Sequence, residues 1–221
     1  EDDPEDNYWT ALAGLLKAEL DPGLKIYLEY SNETWSGGSS FQQGDYTGQR
    51  GVAMGFDGQA YTSKFYFHVY AAMRLHKVFL DAFAGSHHRI KTVISGQANS
   101  HWGTLQVVKA LGNESTSGPD PRLNPWNLTP DYFAIANYTS TGNGGAATIR
   151  ADWAAKLVEN EAKYIEHRDT IAPTGMQLIS YEGGQHYTTN AHLFSRNPES
   201  YEMYQEWLQT VPNYFPLPLH S

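Results

Sequence analysis

The apolar residues of this 221-residue chain follow two alternating rhythms. Stretches with apolar positions three or four residues apart read as helices. Short runs of β-branched and aromatic residues read as strands. Residues 8–20 put Trp9, Leu12, Leu16 and Leu20 on one helical face, and Asp21-Pro22-Gly23 ends that helix with a turn. A strand over 24–30 leads into a Gly/Ser/Gln-rich loop spanning about 36–58. A long helix over 59–84 repeats Tyr61, Phe65, Val69, Ala72, Phe79 and Phe83 near helical spacing. A strand over 90–95, a short helix over 103–111 ended by Gly112, and a Pro/Asn-rich loop over 113–130 come next. After a short strand at 132–136 and a glycine-rich loop at 139–145, a helix over 147–167 carries Ile149, Trp153, Leu157 and Tyr164 on its apolar face. A strand over 176–181 precedes the last helix. That helix opens at Asn197-Pro198, a capping and first-turn pair, and runs to about Val211 before a proline-rich tail.

One helix followed by four βα units predicts a parallel sheet covered by helices, in a chain of single-domain length. An open doubly wound sheet and an arc of a (β/α)8 barrel both fit this order. A dinucleotide-binding sheet would favour a Gly-x-Gly-x-x-Gly turn after its first strand, whereas this turn reads Ser31-Asn32-Glu33-Thr34-Trp35. Polar residues recur just after the strands: Asn32 and Glu33, Asn99 and His101, Asn137 and Tyr138, Glu182 and His186. The C-terminal ends of barrel strands open on one face, where sites of that fold are built. The regularity favours an α/β fold that is a partial (β/α)8 TIM barrel, one domain over 1–221.

Charge and composition narrow the partners. A formal net charge of −9 opposes binding to nucleic acid or to anionic membranes. No apolar run approaches the roughly 20 residues of a spanning helix. No signal-peptide pattern is visible, as a mature chain would also show. The absence of cysteine removes any disulfide framework or thiolate metal site and is compatible with either compartment. The 15 Tyr and 6 Trp suit sugar-ring stacking as well as an ordinary core. Asn-x-Ser/Thr patterns at Asn32, Asn113, Asn127 and Asn137 read as chance matches, two of them lying at strand ends. No His/Asp/Glu group has metal-ligand spacing, so neither metal nor cofactor is expected. No Gly-x-Ser-x-Gly elbow suggests a serine hydrolase. His87-His88 precedes a strand, away from the polar ends, and reads as a solvated loop.

The sharpest feature is a pair of carboxylates. Glu33 and Glu182 each end a β-rich run, and such a pair can place an acid and a base, or an acid and a nucleophile, on either side of a bond. Glu29, inside the strand, reads as a buried structural carboxylate.

The segment EYSNETW (29–35) resembles that of a subgroup of clan A glycoside hydrolases, in which the acid/base Glu follows an Asn at the end of the fourth barrel strand. YEGG (181–184) resembles the nucleophile segment ending the seventh strand, and ISGQANS and YFAIANY resemble the fifth and sixth strand ends. The resemblance covers about 8–211 and implies a retaining, cellulase-like enzyme acting on a neutral β-linked polysaccharide or oligosaccharide in a secreted or extracellular setting. It makes Glu33 the acid/base, Glu182 the nucleophile, Asn32 a partner of the sugar 2-hydroxyl, and Tyr138 a partner of the nucleophile. The retaining mechanism implies carboxyl groups about 5–5.5 Å apart. Trp35, His101 and Trp102 either line the cleft or serve ordinary packing, Asn99 is a further candidate substrate contact, and His186 is a substrate contact or a surface loop residue. Only the fourth to seventh βα units are supplied, and the prolines at 212, 216 and 218 oppose an eighth strand. A second copy or a complementing chain is therefore expected to close the barrel. The other reading is a catalytically weak or inert barrel fragment that binds glycans.

Overall fold

The computed structural model describes residues 4–139, 149–186 and 195–215. Helix α1 (Pro4–Glu19) leads into strand β1 (Ile26–Glu29), and helices α2 (Gln42–Ala53) and α3 (Ala60–Ala82) return the chain to β2 (Ile90–Gly96). Helix α4 (His101–Leu111) and a small ladder, β3 (Glu114–Ser115) against β4 (Gly118–Pro119), precede β5 (Tyr132–Thr139). Helix α5 (Ile149–Ile171), β6 (Gln177–Gln185) and, after it, α6 (Glu199–Thr210) complete the order. The four long strands are all parallel in the order β1-β2-β5-β6, curled into a half-barrel with flanking helices. Among the described residues no strand pairs with the outer edge of β1 or of β6.

Alternation along the strands sends side chains to two different environments. Ile94, Phe133, Ile135 and Leu178 pack under the helices with Phe65, Val69, Met73, Val107 and Ile171 in the main core. Leu28 and Ile90 pack with Trp9, Ala13, Leu75, Phe79 and Phe83 in a second cluster that seats α1 on α3. The other face is concave. There Val93, Ala134 and Ile179 form a small apolar floor with Tyr132 and Tyr181 against it. Helix α3 is enclosed on most sides, burying even Lys64, His68 and His76. Tyr61, expected on its apolar face, is 58% exposed at its first turn.

The region 36–58, expected as loop, contains α2. Its composition misleads because the glycines form a packing seam. A Cβ on Gly44 would stand 1.4 Å from the Ser36 carbonyl oxygen, and one on Gly51 would stand 2.4 Å from that of Ser63. Glycine here permits close backbone approach of α2 to the segment after β1, at Gly44, and to α3, at Gly48 and Gly51. Strands β5 and β6 also run past their expected ends, and a register shift lies between Ile135 and Ala136. Ile135 pairs with Ser180 but Ala136 pairs with Glu182, so Tyr181 is the inserted residue of a β-bulge. His87 and His88 sit exposed in a 3-10 turn, as expected of a solvated segment. No helix among the described residues is long and apolar enough to cross a membrane.

Candidate active site

The C-terminal ends of the four strands surround a cleft of about 640 Å³. Glu33, Trp35, Asn99, Tyr138 and His186 line it, joined by Ser36, Phe41, Gln97, Ala98, Ala136 and Lys156. Strand β1 ends at Glu29, and the chain then turns sharply through Ser31 (φ 60°) and Glu33 (φ 47°), two non-glycine residues in the left-handed region. That turn projects the Glu33 carboxyl over the mouth of the half-barrel.

Glu182 reaches the same place by another route. In simple alternation Ile179 and Tyr181 would face the concave side and Glu182 the helices. The bulge at Tyr181 resets the phase, placing Glu182 opposite Ala136, in the row that continues from Ala134 and Ile179. The two carboxyl groups thereby come close enough across the arc for Glu182 to raise the pKa of Glu33. Glu182 is not among the residues that line the cleft; it borders a separate, largely apolar groove of about 300 Å³ along the β6 edge, with Tyr181, Gly183, Trp207 and Leu208.

The electrostatics separate the acidic groups. Burial pushes the Glu33 carboxyl above its ordinary value, and the hydrogen bond and charge of Glu182 push it further, against weaker opposition from Ser36 and His186. The Ser36 hydroxyl donates to Glu33 Oε2 at 3.4 Å, a long contact. Burial also raises Glu29, with the Glu182 charge adding to it, and the Ser95 hydroxyl beside it works the other way. Neither that hydroxyl nor Glu29 Oε1 has hydrogen-bonding geometry with a partner among the described residues. The Tyr138 hydroxyl lies close enough to Glu182 to feel its charge. Burial first, then the Glu182 charge, raise its pKa, so it is a protonated donor at neutral pH. Tyr181 is pushed up by burial and by the charges of Glu182, Glu33 and Glu29.

Three of the sequence-selected residues take other places. Asn32 is exposed and outside the cleft lining, with its backbone carbonyl accepting from Gln43 Nε2 at 2.7 Å. His101 turns between helices, its Nε2 2.6 Å from Thr170 Oγ1, and serves the α4–α5 contact. Trp102 stacks on Tyr61, with ring centroids 5.6 Å apart and planes 11° apart. His101 is thus engaged in an interhelix contact, while Trp102 stays 41% exposed in its stack with Tyr61. Asn99 lines the cleft and accepts from Lys163 Nζ at 2.8 Å. The His186 ring lies 5.2 Å from that of Tyr138.

Sequence reasoning did not select Ser36, Phe41, Gln97 or Lys156. Gln97 follows β2 directly and could have been found by the rule that found Asn99. Lys156 projects from the interior of α5, where one sequence carries no signal for it. Among the described residues no group of three or more His, Asp or Glu is arranged to hold a metal ion. No family model matches this chain, and neither a characterised protein nor a solved structure shows a significant match to it.

Proposed function

We propose that this protein is a retaining glycoside hydrolase of clan A type, built on a partial (β/α)8 barrel, that cleaves β-glycosidic bonds in a neutral polysaccharide or oligosaccharide. The observation that carries this reading is the proximity of the Glu33 and Glu182 carboxyls, close enough that Glu182 raises the pKa of Glu33 at the rim of the cleft. Double displacement uses carboxyl groups about 5–5.5 Å apart, while inversion needs about 6.5–9.5 Å to admit a water. A pair close enough for one carboxyl to raise the pKa of the other fits the shorter separation better than the longer.

In this mechanism Glu33 holds a proton because burial and its acidic neighbour favour the neutral form. It delivers that proton to the glycosidic oxygen as the leaving sugar departs. The Glu182 carboxylate, held by the Tyr138 hydroxyl, attacks the anomeric carbon and forms a glycosyl ester. The Glu33 carboxylate then takes a proton from water, whose oxygen attacks the same carbon and frees Glu182. Trp35 and Phe41 offer aromatic surface to a sugar ring.

The test is hydrolysis of an aryl β-glycoside and of β-glucan oligosaccharides by the protein and by Glu182→Gln. The variant is expected to lose nearly all turnover, and retention of most of it would falsify the assignment. A second reading rests on the edges of β1 and β6, which no strand among the described residues covers: a weak or inert half-barrel that binds glycans without turning them over. Binding of the same oligosaccharides by the parent protein without hydrolysis would favour it. A second copy or a complementing chain is the proposed partner that closes the barrel, and a secreted setting suits a polysaccharide substrate. Size-exclusion chromatography with light scattering tests the second copy, which a stable monomer would eliminate.

A further inference from the structure

The turn bearing Glu33 is held from behind. Its two left-handed residues, Ser31 and Glu33, each cost on the order of 1 kcal/mol or more and persist only where surrounding contacts over-determine them. Those contacts come from α2 and α3. Thr34 Oγ1 lies 3.1 Å from His68 Nδ1, with Thr34 3% and His68 2% exposed. The Thr47 hydroxyl donates to the Gly44 carbonyl at 3.0 Å and lies 3.4 Å from the Thr34 carbonyl, and Lys64 Nζ donates to the Trp35 carbonyl at 3.1 Å. Gln43 Nε2 holds the Asn32 carbonyl. All of these act on the residues flanking Glu33 and leave its carboxyl for the cleft.

His68 is one of the buried anchors among these. Two helical turns further along α3, His76 Nε2 lies 3.1 Å from the Leu28 carbonyl oxygen and 3.2 Å from that of Val93. One helix face therefore grips β1 and β2 through His76 and the turn beyond β1 through His68. Burial pushes the His68 ring down to about 4, so near neutral pH it is uncharged and shares a hydrogen bond with Thr34 without needing a counter-ion.

We propose that His68 is a positioning residue for Glu33, acting through the Thr34 hydroxyl. The proposal rests on the reading of Glu33 as acid/base. A general acid must meet the glycosidic oxygen within hydrogen-bond reach, and a misplacement of about 1 Å can cost on the order of a hundredfold in rate. Without the hydrogen bond between Thr34 and His68, the turn can relax toward ordinary backbone angles and carry Glu33 off the mouth.

The experiment compares Thr34→Val, which removes the hydroxyl at nearly constant shape, with Thr34→Ser, which keeps it, and with His68→Phe. Two readouts are taken: kcat and KM on an aryl β-glycoside, and amide hydrogen exchange over residues 31–36. Thr34→Val and His68→Phe are expected to lower kcat by about tenfold or more with KM within about twofold. Exchange at 31–36 should speed up by about tenfold while β2 amides hold. Thr34→Ser should restore both. Parental exchange at 31–36 in Thr34→Val overturns the proposal, as does an unchanged kcat with faster exchange. If the parent protein hydrolyses nothing, the glycosidase reading fails separately, and exchange still decides whether the clamp exists. If His68→Phe does not fold, Thr34→Val carries the decision.

Discussion

The two ends of the candidate carboxylate pair are supported in opposite ways. Glu33 stands on a strained turn backed by two helices and a buried network of Thr34, Thr47, Lys64 and His68. Glu182 stands on an outermost strand, aimed by a single inserted residue and bordered by a groove in which Leu208 is 55% exposed. At that end the Tyr181 hydroxyl and Trp207 Nε1 are buried without a hydrogen-bond partner among the described residues. Tertiary packing fixes one carboxyl and local strand geometry fixes the other. Damage to the α2–α3 layer should therefore reach Glu33 first, and damage to the β6 edge should reach Glu182.

The largest effect that separates the two ends is chemical. Glu182→Gln removes the proposed nucleophile, so kcat/KM should fall by on the order of ten-thousandfold on every substrate that the parent protein cleaves. Glu33→Gln removes the proposed acid, and its cost should depend on the leaving group. General acid catalysis is worth roughly 10²–10⁴-fold, but an activated aryl group departs with little proton assistance. The loss should therefore be far smaller in the first step on a nitrophenyl glycoside than on an oligosaccharide. Burst kinetics with both substrates checks this. Equal losses for both variants on both substrates would erase the proposed division of labour.

The next effect is on stability and belongs to the α3 side alone. His68 and His76 are both held down to about 4 by burial, below the ordinary value of 6.5. The neutral rings are the folded form, so their contribution is complete above pH 6.5 and is lost as pH falls toward 4. Each should remove about 3 kcal/mol by the time the folded ring titrates. Urea unfolding at steps between neutral pH and pH 4 measures the loss, and His76→Phe should flatten part of the slope. An acid slope unchanged in that variant would move the weakness to another part of the fold.

The sequence made the order of elements legible because apolar period reports burial, and here burial and element type agree. The strands that pack under helices through Ile94 or Phe133 were readable in this way, as was the clustering of polar residues at the strand ends. Helix α2 was not, because a helix that packs through Gly44, Gly48 and Gly51 has no apolar stripe to detect. The bulge at Tyr181 was also invisible. YEGG shows that a carboxylate follows the strand, but only pairing with β5 shows which face it takes. His101 and Trp102 looked like cleft residues because position after a strand does not fix the direction of a side chain at a helix start. The seam supplies the next prediction. Gly51→Ala drives a Cβ against the Ser63 backbone, and overpacking of this kind costs about 1–3 kcal/mol. The loss should appear in urea unfolding and in faster exchange at the Glu33 turn, with the β6 amides unaffected. If α2 is held loosely instead, both readouts will match those of the parent.

The smallest expected effect concerns Glu29, which lies between the two ends. Its carboxyl is raised first by burial and then by the charge of Glu182, with Ser95 only partly offsetting them. A carboxyl raised in the fold contributes most below its unfolded value, and that contribution is lost as pH rises through the folded one. Ionised Glu29 is therefore a burden on the folded protein at neutral pH. Glu29→Gln keeps the shape and removes the charge, so it should stabilise the protein by roughly 1 kcal/mol or less above neutral pH, fading as pH falls to 4.5, the carboxyl's ordinary value. Thermal melts across that range measure it. A destabilisation at every pH would mean that the carboxylate is a required partner of the concave face, and Glu29 would then belong with the groups that hold Glu182 in place.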